Sequence, residues 1–120
     1  MTRHFSRWFG KTDLSVEALC RSVDEMGRGL IDANLGGGII KKRVALPGRG
    51  KRGSARTLVA TNKANRWFFV FGFEKNDRDN INARELNGLK ALASDLLRLG
   101  VSELSAAVAA KTFQEICHEN

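Results

Sequence analysis

The chain has 120 residues, 42% of them hydrophobic, with one proline, two cysteines and a formal net charge of +7. That length suits one domain, residues 1–120, with a modest core, and no run of about 18 apolar residues offers a membrane span. The cysteines form no C-x-x-C pair or Cys/His cluster, which speaks against a structural metal and reads as two thiols in a reducing compartment. The opening MTRHFSRWFGKTD has cations but no apolar h-region, so the expectation is a cytoplasmic protein without membrane association.

In chain order, HFSRWF is read as a strand that adds to a sheet. Ser15 is an N-cap, with Leu14 set to staple onto Leu19, for a helix whose stripe is Val16, Leu19, Cys20, Val23 and Met26 and which Gly27 or Gly29 ends. Leu30 to Leu35 is read as a further short turn of helix before Gly36, Gly37 and Gly38. The β-branched run IIKKRVAL follows, stopped by Pro47 and Gly48. ARTLVAT (Ala55 to Thr61) is a second strand, NKAN (Asn62 to Asn65) a turn and RWFFVFGF (Arg66 to Phe73) a third strand. Being apolar on both faces, that last strand is expected to be central or well covered. Helical spacing resumes through Leu86, Leu89, Leu92, Ala93, Leu96 and Leu97, with Asn82 and Glu85 as a capping box. An alanine-rich tail from Ser102 to about Ile116 is read as one more helix within 100–120. The fold class is α+β: N-terminal helices, a small antiparallel sheet, then C-terminal helices.

The charge is segregated. Nine of the 20 cations and none of the 13 acids lie between Ala33 and Phe73, so the remainder holds 11 cations against 13 acids. A field of this kind attracts a polyanion, most often nucleic acid. Within it, Gly48, Gly50 and Gly53 spell G-x-G-x-x-G, with Glu74 about twenty residues on. That fingerprint needs a helix N-terminus after the glycines, and a β-type run follows here. A P-loop also fails, because Ser54 and Ala55 stand where Lys and Ser/Thr are required. No nucleotide cofactor is implied. The segment carrying Arg49, Lys51 and Arg52 reads instead as a cationic hairpin loop able to follow a sugar-phosphate backbone. On the flanking strands Lys41 and Arg43 share one face, Lys42 falls on the other with Ile40 and Val44, and Arg56 opens the next strand. Lys75 leaves the sheet after Phe73, on the alternation of Phe69, Phe71 and Phe73.

These pieces together resemble the RelE/ParE family of toxin-antitoxin toxins, nearest its RelE-like and HigB-like ribonuclease branch. The likeness runs from about Phe5 to Leu99. It is carried by the strand KKRVAL, by GSARTLV, and by F-x-K-N-D-x-x-N-I followed by R-E-L-x-x-L-K-x-L-A. The resemblance implies cleavage of mRNA on the ribosome, with rRNA contacts, by attack of a ribose 2′-hydroxyl on the adjacent phosphate, without metal or other cofactor. It also implies a cognate antitoxin. Lys41 and Arg43 match the family's paired strand lysines, Arg56 its phosphate-contacting arginine and Lys75 its last-strand lysine, which makes these four the catalytic candidates. Crowding by cations disfavours the charged form of a lysine and suits it to acid-base work. Arg49, Lys51, Arg52, Lys42, Asn76, Arg78 and Phe73 are the RNA-binding candidates.

The chain departs from the family pattern in three ways. It has no tyrosine on which to stack a base, which leaves Phe73 or Trp67 as substitutes. Asn76 stands where some members carry arginine. His4 and His118 lie at the ends, outside the likeness. Two alternatives stay open: a ParE-like gyrase poison, which would make the strand cations dispensable, and a non-catalytic RNA- or ribosome-binding module.

Overall fold

A computed structural model describes residues 1–46, 54–74, 77–78 and 80–117. The described elements run α1 (Arg3–Phe9), α2 (Val16–Gly27), β1 (Ala33–Gly36), β2 (Ile39–Ala45), β3 (Ser54–Thr61), β4 (Trp67–Glu74), α3 (Ala83–Arg98) and α4 (Val101–Ala109). The strands form one four-stranded antiparallel sheet in the order β1-β2-β3-β4. The α+β class expected from the sequence is what the chain adopts, with N-terminal helices, then sheet, then C-terminal helices.

Several local signals act as read. The Ser15 hydroxyl accepts from the Ala18 N–H at 3.1 Å, and Leu14 and Leu19 are buried in one cluster. Asn82 and Glu85 form the reciprocal capping box that starts α3. In the NKAN turn, the Asn62 side-chain oxygen accepts from the backbone of Ala64, Asn65 and Arg66.

Four expectations are corrected. HFSRWF is helix α1, not a strand: Thr2 caps it through the Phe5 N–H, and Phe5, Trp8 and Phe9 pack together at helical spacing. Residues 33–35, at the end of the stretch read as a turn of helix, belong to strand β1. Gly36, Gly37 and Gly38 all have positive φ and reverse the chain onto β2, so the hairpin decides the conformation of what precedes it. The C-terminal helix stops at Ala109: α4 fully buries none of its residues and only leans Leu104 on the α3-side cluster, so little packing extends it. The cysteines, finally, are joined as a Cys20–Cys117 disulfide across 97 residues. Disulfides persist in oxidising surroundings, so the cysteines lend no support to a reducing compartment.

The sheet has helices on both sides. α1 and α2 cover one face over Ile40, Val44, Leu46, Ala55, Val59 and Phe69. α3 covers part of the other, over Ile39, Leu58, Ala60, Phe68 and Val70. β4 stands at the end of the strand order yet is buried on both faces, and the Thr2 N–H donates to the Phe69 carbonyl at its outer edge. Gly72 lets α1 approach this strand, since a Cβ there would lie 2.2 Å from the Trp8 indole. After α4 the tail runs back beside the N-terminus, exchanging Met1–Gln114 backbone bonds at 2.7 and 2.9 Å and bringing Cys117 to α2. No described helix is long and apolar enough to cross a membrane.

Candidate functional site

Antiparallel register sets what stands beside what, because directly opposed residues share a face. One row across the sheet is Lys41, Leu58 and Phe71; the next is Arg43, Arg56 and Phe73. Both rows lie on the α3 side. The helix's buried contacts are with Ile39, Ala60, Phe68 and their neighbours at the other end of the sheet. Arg43 is therefore exposed and Lys41 and Arg56 half-buried, while Leu58 between them is sealed. Arg43 and Arg56 sit directly opposite each other, an arrangement of like charges that disfavours folding unless an anion bridges them.

Arg56 is held along its strand by Ser54, whose hydroxyl accepts from Nη1 at 2.7 Å. That bond fixes one edge of the guanidinium. Asp32, just before β1, takes the Arg43 backbone N–H with its carboxylate and gives its own N–H to the Lys41 carbonyl. β1 thus pins the β2 backbone beneath both cations.

The other sequence candidates separate. Lys42 lies on the opposite face, where its amine donates to the Leu30 carbonyl at 2.9 Å and pairs with Glu25 at 3.3 Å, and its side chain is 11% exposed. Phe73 is in the Arg56 row but 3% exposed, and Trp67 is at the far end of β4, opposite Thr61. A bulge between Leu58 and Val59 in the β3–β4 register breaks the expected alternation, so Phe69 faces α1 and α2 whereas Phe71 and Phe73 face the cations. Arg78 lies 5.6 Å from the Phe71 ring centre and binds Glu85 at 2.6 Å. That guanidinium, followed by the Asn82 N–H, holds the Glu85 carboxyl below the ordinary carboxylate range. Arg49, Lys51, Arg52, Lys75, Asn76 and His118 fall outside the described residues. Among the described residues no group of three or more His, Cys, Asp or Glu is placed to hold a metal ion.

The model of the RelE toxin of the RelE/RelB toxin-antitoxin system matches residues 1–116. The chain belongs to the RelE toxin family. Membership makes it a toxin of a toxin-antitoxin system and implies a cognate antitoxin partner. No curated protein and no solved structure matches the chain. The RelE match extends the likeness at both ends, taking in the first four residues and the tail beyond Leu99.

Within this RelE chain the sequence missed two residues beside the cationic rows. His4 stacks on Phe71 with ring centres 5.5 Å apart and planes 18° from parallel. Ser54 orients Arg56. The helical spacing of Phe5, Trp8 and Phe9 behind a Thr cap was the signal that would have placed His4 on a helix against the sheet.

Proposed function

We propose that the protein is an mRNA endonuclease that inhibits translation by cutting messages on the ribosome, and that the open sheet face is its reaction centre. One observation carries this reading: Lys41, Arg43 and Arg56 stand on one face in adjacent cross-strand rows, with Arg43 opposite Arg56. Phosphodiester cleavage needs a proton acceptor at the 2′-hydroxyl, cationic donors at the phosphate and a proton for the leaving oxygen. In the proposed step the 2′-oxygen loses its proton and bonds to phosphorus. The phosphorus–5′-oxygen bond breaks, and the 5′-oxygen takes up a proton. The products are a 2′,3′-cyclic phosphate and a 5′-hydroxyl.

Arg56 donates to the non-bridging oxygens as their charge grows, presenting the guanidinium edge that Ser54 does not hold. Arg43 faces the same phosphate from β2. Lys41 is the amine on this face for proton transfer, and Lys75 is its counterpart by resemblance to the family. Arg49, Lys51, Arg52 and Asn76 contact the RNA backbone. On this reading the place of action is the cytoplasm, where messages are translated, and the chain acts as one domain. The strap of residues 110–117 onto Met1 and Cys20 supports reading residues 100–120 as part of that same domain.

Inducing the protein in cells and mapping transcript ends by primer extension tests the reading. Cuts inside translated codons are the expected result. Supercoiling defects without cuts would replace it with gyrase poisoning.

A further inference from the structure

Beside the cationic rows the sheet edge opens into an apolar groove of about 460 Å³, lined by His4, Val70, Phe71, Gly88, Leu89 and Leu92 among others. Its aromatic wall is continuous with the proposed reaction centre. Phe71 shares a row with Lys41 and lies next to Phe73, the cross-strand partner of Arg56. That wall is also braced, because His4 stacks on Phe71 and Arg78 approaches the same ring. His4 itself is exposed, so its outer side is open to a further flat ring. At the rim, Glu85 offers a carboxylate kept ionised by Arg78, an acceptor for an amino group.

The α3 wall is equally informative. Gly88 lies inside the helix, where glycine weakens it relative to alanine, yet a Cβ at this position would meet nothing within 4 Å. Packing does not require the glycine. What it leaves is room along the groove.

We propose that this groove holds one nucleobase of the RNA strand, flanking the phosphate held at Arg56, stacked against the His4–Phe71 pair. Flat aromatic surfaces beside a cationic backbone track are what single-stranded RNA recognition uses. An apolar groove with Arg3 in its lining and Arg78 over the Phe71 ring suits a base with its phosphate outside. The proposal rests on the reading of the sheet face as an RNA-cleaving centre, and deepens it by naming where a base goes.

Gly88→Leu fills the groove while improving helix propensity, so loss of binding cannot be ascribed to loss of fold. Translating ribosomes would be programmed with a message carrying one 2-aminopurine and 2′-O-methyl groups in the decoded codon. The wild type is expected to quench the 2-aminopurine emission. Gly88→Leu and His4→Ala should bind roughly five- to a hundredfold more weakly, with the quench lost, and Gly88→Leu should melt no lower than wild type. Wild-type protein that cuts unmodified message but gives no quench, or Gly88→Leu that quenches fully, overturns the groove and leaves the nuclease reading intact. Gly88→Leu that binds RNA normally but escapes neutralisation by antitoxin also overturns it, assigning the groove to a protein segment. Wild-type protein that neither cuts nor binds removes both readings together.

Discussion

The two faces of β2 use neighbouring lysines in opposite ways. Lys42 turns under α2, and its charge is met there by Glu25 and the Leu30 carbonyl. Lys41 and Arg43 turn the other way, onto a face where their cross-strand partners are Leu58 and Arg56. On one face a cation is neutralised, and its effect is on stability. On the other, two arginines face each other across the strands, a repulsion that the proposed phosphate would offset. Net charge alone does not distinguish the two; strand alternation and register do.

The comparison can be broken most severely at Arg56. Arg56→Ala is expected to lower single-turnover cleavage about 100- to 1,000-fold, the usual loss for one donor to a developing oxyanion, with little change in melting temperature. On the α2 side, Cys20→Ser should cost about 2–5 kcal/mol of stability, since the bridge closes most of the chain into one loop. Denaturant titration with and without reductant measures this, and cleavage by the folded fraction should persist. Lys42→Met should cost less, about 1–2 kcal/mol, because Glu25 is 43% exposed and regains water when its partner goes. Its cleavage rate per folded molecule should match wild type. If it does not, the division between the faces fails. Neutralising Arg49, Lys51 and Arg52 together should reduce the salt slope of RNA binding by roughly 2 and change the chemical step less.

The smallest effect is electrostatic. Glu85 has its folded carboxyl pKa depressed by Arg78, so the pair stabilises the fold above the ordinary value of 4.5 and loses that contribution as pH falls through the lowered one. The stability difference between wild type and Arg78→Ala should therefore be present at neutral pH and vanish in acid. A difference that grows as pH falls would contradict the pairing.

Much of the fold was legible because its signals are local. Caps at Ser15 and Asn82, the Asn62 turn and the alternation in IIKKRVAL each act over a few residues. The misreadings arise where distant contacts decide. Residues 33–36 are extended because the glycine turn returns them to β2, and the weak helical signal of HFSRWF behind Thr2 is reinforced by Phe5 and Trp8 docking on β4. The Cys20–Cys117 bridge depends on a tail that crosses the molecule, and no spacing rule reports it. The site was half legible for the same reason. Placing Lys41 and Arg43 together needed only alternation, and adding Arg56 needed only the hairpin. The bulge that turns Phe71 towards the cations, and the helix that delivers His4 to it, are tertiary facts.

The central claim is that the open face directs a 2′-hydroxyl onto its own phosphate, and the chemistry of the cut ends tests it most directly. Message cleaved on translating ribosomes by the purified protein should carry 5′-hydroxyl ends and 2′,3′-cyclic phosphates, with both absent when Arg56→Ala replaces the wild type. Ends bearing 5′-phosphate, or an Arg56→Ala protein that cuts at the wild-type rate, would contradict it.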